Sequence, residues 1–219
     1  MNDASEDMAI VLPDETHVPA TPGAYRVVPP PDLNELDERR FLVEYDFPFL
    51  VVKEVATPKA SRAEQREAIR QAENWRVQHP NIRGSIGGCL EGYQIDIPPS
   101  QSHRYQFIPD VSYIDERTWS RLSDEEKCKA YLPCVRVVLI ELMSATDKME
   151  YLQAKVTKYV NAGAREGVVV DTRRDRVWVF KRNQQPYFNA LVPIEFDSWP
   201  GFTLDCLAMR DARTRDGLM

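Results

Sequence analysis

The chain has 219 residues, 43% of them hydrophobic and 10% aromatic with four tryptophans, which is enough to bury a sizeable core without disulfide staples. A mean hydropathy of −0.46, and apolar runs such as Val135 to Leu142 that fall far short of the roughly 18 residues of a span, exclude a membrane-embedded chain. The net charge of −6 argues against a purely electrostatic nucleic-acid binder, but the excess is local: residues 1–40 hold nine acids against Arg26, Arg39 and Arg40, and the rest balances at twenty-five of each sign.

The acidic N-terminus lacks the basic start and apolar stretch of a secretory signal, so an intracellular, most simply cytoplasmic, location is expected. Cys89, Cys128, Cys134 and Cys206 form no C-x-x-C pair and follow no zinc spacing, and are read as free thiols. With only His17, His79 and His103 available, a His-rich metal centre is excluded, and any metal would be held by oxygen.

In chain order, six of the sixteen prolines fall in residues 1–40, Pro29-Pro30-Pro31 among them, which predicts an acidic, flexible leader there. A domain is expected over 41–210 and a short tail over 211–219. On this reading a chain beginning near Glu38 melts within about a degree or two of the full protein. Phe41 to Ala56 reads as a strand or packed extended segment. Ser61 to His79 reads as a helix, opened by a Ser61/Glu64 capping box and stopped by Pro80. Gly87 and Gly88 mark a turn. Tyr93, Ile95 and Ile97 alternate as in a half-buried strand, ended by Pro98-Pro99.

Phe107 to Ile114 is a strand broken by Pro109, and Glu116 to Lys129 a turn with a short helix. Val135 to Leu142 is apolar on both parities, as expected of a central strand covered on both faces. A helix over Asp147 to Ala162, closed by Gly163, follows, and then a hairpin of Gly167 to Asp171 with Arg176 to Arg182. The strand, helix and strand from 135 to 171 form one crossover unit. Short strand-like pieces are expected near Val192 to Phe196 and Phe202 to Leu207.

Three polar residues interrupt this pattern. Asp110 follows Pro109 inside a strand, and Glu141 ends the run Val137-Val138-Leu139-Ile140, where a carboxylate is desolvated unless a cation meets it. On the next helix, Leu152, Val156 and Tyr159 define an apolar face, with Lys155 and Gln153 on its two rims and Lys158 toward water. Lys155 can snorkel toward Glu141. Two carboxylates on neighbouring strands under a lysine suit Mg²⁺-assisted phosphodiester hydrolysis. From these residues alone the plainer alternatives stay open: Asp after Pro as turn chemistry, Glu141 as half of a structural ion pair, Lys155 as a solvated rim residue.

Taken in order, Pro109-Asp110-Val111-Ser112-Tyr113-Ile114, Ile140-Glu141-Leu142-Met143-Ser144-Ala145-Thr146-Asp147, the helix from Leu152-Gln153-Ala154-Lys155 to Gly163, and Val168-Val169-Val170-Asp171 resemble the Uma-type restriction endonuclease family. That family is a branch of the PD-(D/E)XK nuclease superfamily. Glu91 to Ile95 and Pro200 to Asp205 are similar to it too, and the likeness spans roughly residues 65–209. It implies an α/β fold, a mixed central β-sheet flanked by helices of restriction-endonuclease-like type, and a metal-dependent endonuclease acting on DNA with Mg²⁺ (or Mn²⁺). It implies Asp110 and Glu141 as metal ligands, the backbone carbonyl of Leu142 completing the set, Lys155 assisting the attacking water and Gln153 as an accessory polar group. Glu64 or Glu67 would be a further carboxylate.

The superfamily lysine normally two residues after the acid is absent, that position being Met143, and the resemblance implies that Lys155 replaces it. Ser144-Ala145-Thr146-Asp147 also departs from the family's Ser-Pro-Ser-Asp, and Glu91 stands where a small hydroxyl residue is common. The alternative is a catalytically inactive fold kept as a nucleic-acid-binding or protein-interaction module, or a structural acid cluster without substrate. DNA is the expected partner, no membrane is expected, and a homodimer is left open.

Overall fold

The computed structural model describes residues 9–36, 42–53, 59–96, 104–134 and 137–215. The first elements are β1 (Ala9–Val11), β2 (His17–Pro19), β3 (Gly23–Arg26), a 3₁₀ turn (Leu33–Glu35), β4 (Leu42–Asp46), β5 (Phe49–Lys53) and α1 (Lys59–Gln78). The middle holds β6 (Gly84–Gly88), β7 (Gly92–Asp96), β8 (Arg104–Phe107), β9 (Val111–Asp115), α2 (Glu116–Trp119), α3 (Asp124–Lys127), β10 (Tyr131–Leu132) and β11 (Val137–Leu142). Then come α4 (Met149–Ala162), β12 (Glu166–Asp171), β13 (Arg176–Lys181), β14 (Tyr187–Ala190), β15 (Ile194–Glu195), β16 (Thr203–Leu204) and α5 (Cys206–Arg215).

Two six-stranded sheets carry this mixed α/β fold. One has the order β10-β7-β8-β4-β5-β3 and the other β14-β13-β12-β11-β9-β6, and β1-β2 and β15-β16 are small ribbons. At the centre of the second sheet β11 runs parallel to β12, joined through α4, and antiparallel to β9. The expected crossover unit is present. All six residues of β11 are buried, and the strand's period of two divides them. Val138, Ile140 and Leu142 pack with Ala68, Ala72 and Trp75 of α1, and Val137 and Leu139 pack with Leu152, Val156 and Tyr159 of α4. Glu141 shares the parity of Val137 and Leu139, so its side chain is sent toward α4. The register of β11 on β9, Val137 with Ile114 through Ile140 with Val111, sets Asp110 opposite Glu141 when carried one residue further.

Several expectations change. The extended segment is a hairpin of β4 and β5, and Phe41 and Ala56 lie outside the described residues, as do Pro98-Pro99. Gly87 sits inside β6 rather than in a turn, because a Cβ there would come within 2.5 Å of the Ser112 hydroxyl across the pairing. Helix α1 starts at Lys59, ahead of Ser61, and Glu64 spends its carboxylate on the Thr172 hydroxyl instead of a capping box. The tail is helical as far as Arg215, with Cys206, Met209 and Ala212 buried where strand and tail were expected. β14 adds an exposed edge strand that went unread.

The largest correction concerns the leader. Ile10, Leu12, Val18, Val27 and Leu33 are buried against Val43, Tyr45, Leu50 and Val52 of the first sheet, and β3 pairs with β5 along its whole length. Apolar residues spaced among the prolines and acids suffice to dock the segment, because six prolines restrict φ without removing side chains that can be buried. Composition averages conceal such spacing. Each buried aliphatic side chain is worth about 1.5–3 kcal/mol, and a chain of this size shifts in Tm by about 2–4 °C per kcal/mol. Deleting residues 1–36 should therefore lower Tm by about 10 °C or more in a thermal melt, and a shift within a degree or two would show that the segment adds nothing to the core.

Candidate active site

Pro109 has no N–H to give to a ladder, so β8 ends before it and the chain leaves the first sheet for the second between Phe107 and Val111. The Ile108-Pro109-Asp110 turn is held on both sides. The Ile108 N–H donates to Glu44 Oε1 (2.7 Å), and its carbonyl accepts from Lys155 Nζ (2.8 Å). Asp110 then accepts the Leu142 N–H at Oδ2 and the Gln65 amide at Oδ1, both at 2.7 Å.

Lys155 is the centre of the arrangement. Its ammonium lies 2.8 Å from Glu44 Oε1, 2.8 Å from Glu141 Oε1 and 2.8 Å from the Ile108 carbonyl, to which it donates. Only 1% of its side chain is exposed, so it does not snorkel: it is buried together with its carboxylates. Glu44 Oε2 continues the chain to Lys53 at 2.5 Å. Lys158, expected in water, pairs with Asp46 and lies over the Tyr105 ring. Glu44 and Asp46 are two residues apart on β4 and meet lysines three apart on α4, so α4 is bound to the first sheet by two parallel ion pairs.

The same lysine acts on two carboxylates with opposite results. Burial would raise Glu44, but Lys155 and Lys53 outweigh it and hold the carboxyl down to about 2. Burial of Glu141 wins over the pull of Lys155, aided by the nearby charges of Asp110 and Glu44, and pushes it up to about 7. Burial also raises Asp110, against the Leu142 amide and the two lysines. For Lys155 itself burial favours the neutral amine, yet Glu141 and Glu44 hold it above the usual lysine range.

Asp110, Glu141 and Lys155 are thus brought together, as their spacing suggested. Leu142 joins them through its amide N–H, a group separate from the backbone carbonyl that the resemblance implies as a ligand. Gln153 is half-buried and takes part in none of the bonds that tie Asp110, Glu141 and Lys155. Glu67 pairs with Arg70, and Glu64 with Thr172, away from this cluster. Sequence reasoning missed Glu44, Lys53 and Tyr151. A carboxylate between Val43 and Tyr45 was as anomalous as Glu141 and could have been found by the same test. The Tyr151 hydroxyl, one turn before Lys155 on α4, is buried with no hydrogen-bond partner among the described residues, and burial raises its pKa.

A hard divalent cation takes carboxylate oxygens and keeps several waters. Among the described residues no cluster of three or more His, Cys, Asp or Glu is arranged for a metal, so the donor set offered is Asp110 and Glu141. Glu141 Oε1 fits that use, being buried, ion-paired to Lys155 and without an aligned hydrogen-bond donor.

The fold is shared with a protein titled as a "putative nuclease belonging to DUF820" from Anabaena variabilis, at TM-score 0.62 and 17% identity, covering 82% of this chain and 95% of that one. Residues 30–207 match the model of the Uma2 family, described as "Putative restriction endonuclease", and the chain belongs to that family, whose description places it among the nucleases. No curated protein matches. No described helix is long and apolar enough to cross a membrane.

The opposite shifts fix opposite pH dependences. Glu141 holds a proton in the folded state from about pH 4.5 to 7 that the unfolded chain has lost, so its contribution is full below 4.5 and is lost as pH rises through about 7. Without divalent cations, Glu141→Gln should match wild type near pH 5 and melt several degrees higher at pH 8, a gain on the order of 1–3 kcal/mol. Glu44, depressed to about 2, stabilises above pH 4.5 and fails only as pH falls through 2. Glu44→Gln should therefore cost a similar amount at pH 8, and paired melts of the two variants check the contrast.

Proposed function

We propose that the protein is a metal-dependent endonuclease that hydrolyses phosphodiester bonds in DNA, with Asp110 and Glu141 as the residues that would hold Mg²⁺ or Mn²⁺. The observation that carries this reading is the pairing of strands that sets Asp110 opposite Glu141 while burial leaves Glu141 reluctant to ionise without a cation. Stability given up at a buried acid is the mark of a group kept for function. When bound, the cation would supply an activated water and neutralise charge on the phosphate.

The chain's own residues do the positioning. The Leu142 amide and Gln65 fix both oxygens of Asp110, so its carboxylate has one orientation relative to β11. Lys155 anchors Glu141 from the side of α4 and keeps its negative charge available near neutral pH. Through the Ile108 carbonyl the same ammonium fixes the turn that carries Asp110, so one lysine sets the spacing of the two acids. Gln153, half-buried on α4, is assigned an accessory contact to substrate or water.

A second reading, a catalytically inactive fold that binds nucleic acid or protein, is favoured by one observation: Lys155 is buried among three protein oxygens. Cleavage of plasmid and single-stranded DNA with millimolar Mg²⁺ decides between them. Active wild type with losses of about a hundredfold or more in Asp110→Asn and Glu141→Gln is the expected result. Intact DNA at every metal concentration would favour the inactive fold.

A further inference from the structure

The two lysines of the site are placed differently with respect to solvent. Lys155 is 1% exposed and encircled by three protein oxygens, whereas Lys53, the last residue of β5, is 34% exposed and, among the described residues, ion-paired to Glu44. Glu44 and Glu141 are buried, whereas Asp110 and Lys53 are partly exposed, so within this cluster these two are the groups that solvent reaches. The pairing of β4 with β5 explains the placement. Glu44 stands opposite Val51, which puts Lys53 diagonally across from it on the same face of the sheet, the face turned toward α4. Lys53 also lies close enough to bias both proposed metal ligands, favouring the charged forms of Asp110 and Glu141.

We propose that Lys53 is the substrate-facing cation of this site, its ammonium contacting a non-bridging oxygen of the scissile phosphodiester while Lys155 stays buried to hold Glu44, Glu141 and the Asp110 turn. This assignment rests on the nuclease reading and divides between two residues the work that the family resemblance gives to Lys155 alone. Glu44 is what makes the division possible. One of its oxygens is committed to Lys155 and to the Ile108 amide, and the other tethers Lys53 beside the acids without removing it from solvent. An ammonium tethered on one side and open to solvent on the other can offer further N–H donors to phosphate without leaving Glu44, which a lysine buried among three oxygens cannot.

The experiment uses the full chain and four forms: wild type, Lys53→Met, Lys53→Arg and Lys155→Met. It combines single-turnover DNA cleavage with Mg²⁺, thermal melts, and the salt dependence of DNA binding in a Glu141→Gln background. Expected are a loss of cleavage of about ten- to hundredfold in Lys53→Met with Tm within a few degrees of wild type, and recovery of most activity in Lys53→Arg. The slope of log K against log salt should fall by about one on losing Lys53. Lys155→Met, by contrast, should lose stability first, because it strands two buried carboxylates. Active wild type with an equally active Lys53→Met and an unchanged salt slope would overturn the Lys53 assignment alone, as would a Lys53→Arg form as inactive as Lys53→Met. Wild type that neither cleaves nor binds DNA would overturn the nuclease reading and this assignment with it.

Discussion

One buried ammonium joins every part of this structure that bears on its chemistry. Lys155 reaches from α4 to Glu44 in the first sheet, to Glu141 in the second, and to the Ile108 carbonyl in the turn that passes between them. A charge buried this deeply is tolerated only when it is paired and fully coordinated. Here the pairing partners come from three separate elements, so the requirement becomes a constraint on how the sheets meet. Lys158 and Asp46 repeat the attachment nearer the solvent, where it is worth less.

The unequal treatment of Glu44 and Glu141 is the physical content of the site. Glu44 has two lysines and a backbone amide and is a settled anion. Glu141 has Lys155 in contact, a weaker pull from Lys53 and two acidic neighbours, and burial leaves it unsettled. A fold that needed only a structural ion pair would have no use for the second carboxylate, since Glu44 and the Ile108 carbonyl already accommodate Lys155. The imbalance thus supports reading Glu141 as a ligand rather than as a counter-ion.

Much of this was legible before the structure because the central elements carry strong local patterns. β11 is apolar on both parities, α4 has an apolar face closed by Gly163, and an acid on a buried strand announces itself by breaking the pattern. What could not be read depends on partners distant in sequence. A helical wheel puts Lys155 on a rim because it sees one helix, while the first sheet, which covers that rim, comes from residues more than a hundred positions earlier. Glu44 was hidden in a hairpin taken as one extended segment. Residues 9–36 were misjudged because prolines and acids dominate their average while five spaced aliphatic residues do the packing. In α5 the apolar residues are few, and the helix is held by α1 rather than by its own propensity.

The crossing of the chain at Ile108-Pro109-Asp110 ties shape to electrostatics. The turn that bears Asp110 is the joint between the two sheets, held to the first by Glu44 and to the second by the Leu142 amide. Beneath this joint lies an aromatic layer: Phe107 and Tyr93 both pack on Tyr159, and the Lys155 ammonium lies over the Phe107 ring. In evolutionary terms, the charged joint and the apolar layer beneath it are constrained together, because one side chain, Lys155, touches both.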